Sequence, residues 1–168
     1  MGNFCSCLDI PKRKLIISVI GLEEDVQIVL KTILPYYVSN PLPKFSEHSL
    51  VKGRYKIIIH AHIITPLIKS LIKLHFPVES AVIYSIDADN PTSIDHARML
   101  MDEQHIKNDD SVTILCRGKY LENPVLQEIK DEISGGFHSH LQFVKFEVNE
   151  ANKYISKAFD KILERLMI

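Results

Sequence analysis

The chain is poor in cysteine, with three in 168 residues. Cys5 and Cys7 crowd the N-terminus and Cys116 lies inside an apolar run, so no disulfide framework follows and a reducing compartment is expected. Long hydrophobic runs are missing too. Nothing approaches the ~20 consecutive apolar residues that a spanning helix needs. Residues 1–9 lack the apolar core of a secretory signal. Charge of one sign is not in excess: the formal net charge of −1 removes a general electrostatic case for nucleic acid. Internal repeats, low-complexity segments and a G-x-S-x-G nucleophile elbow are all absent. What remains is 46% hydrophobic and 24% charged, the balance of a globular chain long enough for one domain with a full core.

The N-terminus reads as a membrane address. Met1-Gly2-Asn3-Phe4-Cys5-Ser6 fits the myristoylation pattern, with Gly2 as acceptor and Ser6 at the favoured position. Cys5 and Cys7 are candidates for palmitoylation, and Lys12-Arg13-Lys14 follow as a basic cluster. These features belong together physically. One myristoyl chain binds a bilayer with only roughly 10⁴ M⁻¹, so stable anchoring needs a second signal. A second acyl chain supplies one, and each basic residue near an anionic leaflet adds about 1 kcal/mol. Residues 1–11 are therefore expected to be a lipidated anchor and 12–168 the domain.

The domain is organised around residues 15–37. Residues 15–20 form a β-branched apolar run, the pattern of a strand buried on both faces. Gly21 ends it. Glu23, Glu24 and Asp25 follow, and then Val26, Val29, Leu30, Ile33 and Leu34 at helical spacing. Acids in a first turn complement the helix dipole. Pro41 and Pro43 make residues 38–49 an expected loop. Leu50-Val51 and residues 54–60 then read as a hairpin around Lys52-Gly53, and residues 66–76 as a short helix. Residues 80–86, 111–116 and 141–148 read as further strands, separated by helices opening at Pro91 and Pro124. Residues 150–167 close the chain as an amphipathic helix. Strands alternating with helices predict an α/β domain with a mostly parallel six-stranded sheet, one antiparallel edge strand and helices on both faces.

Other constellations carry little chemistry. His60 and His62 share a strand face, and His75, His138 and His140 complete a histidine set, but no Cys or carboxylate at ligand spacing accompanies them. No metal site is expected. Asp87-Ala88-Asp89-Asn90 lacks the Gly and terminal Glu of a calcium loop and reads as a strand-to-helix loop with capping residues. Cys116 reads as a small core residue.

The order of elements and several local strings resemble the Arf (ADP-ribosylation factor) branch of the small GTPase superfamily, which also begins with a myristoylated Gly2. The resemblance covers most of the chain. It is carried by residues 15–22 with their Gly21-Leu22 ending, by Ser85-Ile86-Asp87, by residues 114–123 and by the closing strand and helix. It implies a P-loop-type three-layer fold, GTP with magnesium as ligand, and partner contact through two switch segments at residues 38–51 and 61–76.

The motifs that would hold nucleotide are degenerate. A phosphate loop reads G-x-x-x-x-G-K-[ST]. Here Gly21 fills the first position, but Val26, Gln27 and Ile28 fill the last three. Glu24 and Asp25 put acids where a polyphosphate would lie. The D-x-x-G motif falls on Ala61-His62-Ile63-Ile64 and the following catalytic glutamine on Thr65. The N-K-x-D motif falls on Arg117-Gly118-Lys119-Tyr120, and the base loop before the last helix on Val148-Asn149-Glu150. Residues 38–49 hold no threonine for the first switch. The expectation is an Arf-like pseudo-GTPase with no catalytic residues and no bound cofactor. It would meet protein effectors at the cytoplasmic face of a plasma, Golgi or endosomal membrane, alongside a cytosolic pool, in vesicle-mediated transport or signalling. The alternatives are a divergent, active GTP-binding switch and an unrelated lipid-anchored α/β domain.

Overall fold

A computed structural model describes residues 13–65, 81–103, 111–119, 124, 127–128, 130–131 and 141–167, apart from the side chains of 97 and 99–103. Six strands form one sheet: β1 Arg13–Gly21, β2 Phe45–Lys52, β3 Tyr55–Ile63, β4 Ala81–Asp87, β5 Ser111–Arg117 and β6 Leu141–Phe146. Their spatial order is β2-β3-β1-β4-β5-β6. Every neighbouring pair is parallel except β2 with β3. Among the described residues, α1 Glu23–Ile33, α2 Pro91–Glu103 and α3 Ala151–Leu166 are helices, and residues 124, 127–128 and 130–131 are helical too. The α/β class, the mostly parallel sheet and the antiparallel edge strand agree with the sequence reading.

The burial patterns explain why each strand takes its place. β4 and β5 are buried residue after residue, as central parallel strands must be. β2 alternates between exposed and half-buried, which suits an edge with one covered face. On one side of the sheet, Ile17, Val19, Ile57, Ile59, Ile83 and Leu115 share a core with α1 and α3. Val26, Val29, Leu30 and Ile33 enter it from α1; Ile155, Ala158, Phe159, Ile162 and Leu163 enter from α3. On the other side, Ile86, Ile114 and Cys116 pack with Ile94 of α2.

Several boundaries differ from the sequence reading: β1 and β3, for example, run on to Gly21 and Ile63. Residues 45–49 belong to β2 rather than to a loop, because Pro41 and Pro43 precede the strand and leave its amides intact. The hairpin turn is Gly53-Arg54, closed by the pair Lys52 and Tyr55, with Gly53 at a φ of 58° that suits glycine. The last strand stops at Phe146, and Val148–Glu150 form a 3-10 turn. The Asp87–Asn90 stretch behaves as a capping loop: Asp89 N–H donates to Asp87 Oδ1 at 2.9 Å and Thr92 N–H to Asn90 Oδ1 at 3.0 Å. The helix read at 66–76 lies outside the described residues. So do Gly2, Cys5, Cys7, His75, His138 and His140.

Candidate functional site

Without the antiparallel β2, the sheet runs β3-β1-β4-β5-β6. The chain moves from β1 to one side and then, with β4, to the other. In open parallel sheets ligands bind outside the carboxyl ends of the strands at such a reversal. Here that place lies beyond Gly21 and Asp87.

A single residue, Leu22, joins β1 to α1 there. The helix opens at Glu23, and Val26 N–H already donates to the Leu22 carbonyl at 3.0 Å. No loop spans the positions read against a phosphate loop. Glu24 and Asp25 stand in the first helical turn, as the helix reading expected, and not in the loop that the phosphate-loop comparison would give them. The reason is local: Glu23 to Ile33 contain no Gly or Pro, and their apolar stripe is continuous. Val26 is core. Ile28 packs against that core, and Gln27 donates to Glu23 Oε1 at 3.2 Å and to the Asn40 carbonyl at 3.3 Å. Gly21 is required for a different reason than phosphate. A Cβ there would lie 2.6 Å from the Ser85 carbonyl oxygen, so the glycine allows β1 and β4 to close together.

The crevice is filled by an ion cluster that the sequence reading missed. Arg117, the last residue of β5, reaches across β4. Its Nε donates to Asp25 Oδ1, and its Nη2 lies 2.9 Å from Asp87 Oδ2 and 3.6 Å from Glu24 Oε2. The Asp25 side chain is 0% exposed, Arg117 16% and Glu24 87%. One guanidinium therefore faces three carboxylates. Burial pushes the Asp25 carboxyl up to about 6, although the hydrogen bond and charge of Arg117 pull the other way. Burial also works against the Arg117 charge, but its hydrogen bond to Asp25 and the surrounding carboxylates hold its pKa above the ordinary value. Next to it, Cys116 is buried and its thiol is pushed up to about 12, mainly by burial, which makes it unreactive.

The neighbouring loops are tied to one another. Ala88 N–H donates to the Arg117 carbonyl at 2.7 Å, and Lys119 N–H donates to Asp89 Oδ2 at 3.0 Å. Gly118, with a φ of 155°, sits where a Cβ would meet the Ala88 Cβ at 2.8 Å. The positions read against the guanine motif are thus used for loop-to-loop contact; Tyr120 lies outside the described residues. Ala61, Ile63 and Ile64 are buried at the end of β3, and Ile64 N–H donates to the Gly21 carbonyl at 2.9 Å.

Among the described residues, the groups a phosphate loop offers a guanosine triphosphate and its magnesium are replaced by others. The first turn of α1 presents acids, Arg117 is bound by carboxylates, and position 28 is an isoleucine without a hydroxyl. Of the histidine set, only His60 and His62 are among the described residues. His60 and His62 have ring centroids 6.3 Å apart and both pack against Phe45, and His60 Nε2 lies 3.4 Å from Glu47. Among the described residues no group of three or more His, Cys, Asp or Glu side chains could hold a metal ion. The only sequence signals for the Arg117 cluster were charged residues closing two apolar strands, Asp87 and Arg117.

No protein-family model matches the chain, and no curated protein matches it either.

Proposed function

We propose that the chain is a lipid-anchored, Arf-like pseudo-GTPase that works as a protein-interaction module at a cytoplasmic membrane face, in membrane traffic or signalling. The observation that carries this reading is the Arg117 guanidinium lodged between Asp25 and Asp87, at the place where a sheet of this order would receive a ligand. The fold supplies a rigid platform and the ion cluster fills its ligand crevice. Gly2, with Cys5 and Cys7, would hold that platform at the membrane.

The partner surface is assigned to the two switch-equivalent segments, residues 38–51 and 61–76. Tyr36, Val38, Phe45 and Val51 are four of the five large apolar side chains that are exposed among the described residues. They form two places: Tyr36, Val38 and Val51 line one groove, while Phe45 stands at the other end of β2 beside His60 and His62, and it is the Phe45 end that we assign to a protein partner. Of the residues expected there, Leu42 packs partly against the core, and Leu67 and Ile68 lie outside the described residues.

The test is a titration of the purified chain with a fluorescent GTP analogue and magnesium, together with the nucleotide content of protein isolated from its host. No binding and no co-purified nucleotide is the expected result. Guanine-specific binding in the micromolar range would overturn the reading. The anchor has its own test: Gly2→Ala is expected to lower the membrane-bound fraction in cells.

A further inference from the structure

One end of the sheet gathers cations from both of its faces. Arg13 and Lys14 open β1; Lys52, Arg54 and Lys56 surround the β2–β3 turn; all are exposed. Lys14 and Lys56 are register partners on adjacent strands, so two like charges stand side by side on one face. Lys52 and Tyr55 are partners on the opposite face. Among the described residues, the carboxylate paired with a hairpin lysine is Asp160 of α3, which holds Lys52 at 3.0 Å. The positive charge at the turn therefore exceeds what the neighbouring carboxylates offset. Side-by-side cations are unfavourable in an isolated domain and become favourable against an anionic surface.

Two further observations say what kind of surface. Arg13 N–H donates to the Arg54 carbonyl at 3.4 Å, so the first described residue lies beside the hairpin turn. In the sequence, the anchor proposed at residues 1–11 directly precedes this basic end. Val51, 62% exposed, adjoins Lys52 and borders a groove of 660 Å³ shared with Tyr36 and Val38. Aromatic and aliphatic side chains next to cations suit the boundary between lipid headgroups and acyl chains.

We propose that the β2–β3 hairpin end, with Lys52, Arg54, Lys56 and Lys14, docks on an anionic phospholipid bilayer and fixes how the domain faces the membrane. This rests on the membrane reading given above. It concerns a surface of the folded domain, however, and is tested without any acyl chain.

The experiment is co-sedimentation of unacylated full-length Gly2→Ala protein with vesicles of phosphatidylcholine alone or of phosphatidylcholine with phosphatidylserine. The protein is expected to follow the phosphatidylserine vesicles and to be released by high salt. Lys52→Gln, Arg54→Gln and Lys56→Gln together are expected to weaken partitioning about a hundredfold, at about fivefold per charge. A control with the same charge loss, Lys130→Gln, Lys145→Gln and Lys153→Gln, is expected to keep the parent's binding. The hairpin residues are exposed, and an unchanged thermal melt confirms that the triple variant folds. Equal binding to both vesicle types, hairpin variants that bind like the parent, or a control that loses as much would each overturn the proposal. If Gly2→Ala leaves membrane association in cells unchanged, the anchor reading fails while the vesicle result still stands.

Discussion

Arg117 donates from Nε to Asp25 Oδ1, joining the end of β5 to the first turn of α1 across 92 residues of sequence. The contact spans β4 and takes in Asp87 on the way, so three successive units of the fold share one guanidinium. Four predictions follow from this arrangement and from the junction beside it.

Removing the cation should be costly. Arg117→Met leaves Asp25 and Asp87 facing each other with little water, and breaking a buried pair costs about 3–5 kcal/mol. Glu24→Gln should change stability by less than about 1 kcal/mol, because Glu24 is solvent-screened. Urea unfolding of the two variants at neutral pH checks the ranking. Equal losses would show that the cluster does not act as a buried unit.

Asp25 also makes stability depend on pH in an uncommon direction. Its carboxyl is raised from 3.8 to about 6, so between these values the folded chain holds a proton that the unfolded chain has lost. Asp25 therefore contributes most below about pH 4, and that contribution is lost as pH rises through about 6. Two pH units correspond to about 3 kcal/mol. Unfolding of the parent and of Asp25→Asn should diverge by roughly this amount from pH 4 to pH 7, with the Asn variant gaining. Parallel curves would refute it.

Gly21→Ala should destabilise the domain without reference to any ligand. The added Cβ meets the Ser85 carbonyl, a backbone atom that can move only by parting β1 from β4. Overpacking of this kind costs about 1–3 kcal/mol. A thermal melt of Gly21→Ala beside a Gly53→Ala control reads the effect, with the control reporting the left-handed turn instead.

Restoring the side chains of a phosphate motif should not restore its function. Gln27→Lys with Ile28→Ser supplies the missing charge and hydroxyl, but α1 still begins at Glu23 and its first amides still face acids. The double variant is expected to show no micromolar binding of a fluorescent GTP analogue. Recovery of binding would mean that the helix start gives way to a loop.

Much of this architecture is visible in local patterning. The β-branched runs at residues 15–20 and 111–116 and the three- and four-residue steps of residues 151–166 each report burial through periodicity alone, because strand and helix repeats are properties of neighbouring residues. β2 was harder to place, since a half-polar edge next to Pro41 and Pro43 looks like a loop until its pairing with β3 is known. The empty motif positions were legible, but what replaces the phosphate loop was not. The acids at 24 and 25 suited both a helix start and a loop, and only the one-residue junction at Leu22 separates the two.

The amino-acid order by itself determined the α/β class, the amphipathic faces of α1 and α3, and the lack of a lysine and hydroxyl at Gln27 and Ile28, because each depends on residue type and short-range spacing. Tertiary structure alone decided that Arg117, Asp25 and Asp87 meet, that Gly21 serves strand packing, and that the basic residues of β1 and the β2–β3 turn share one end. Those facts depend on strand order. Charges far apart in the chain converge only when parallel strands bring their ends side by side, and no local pattern records that order.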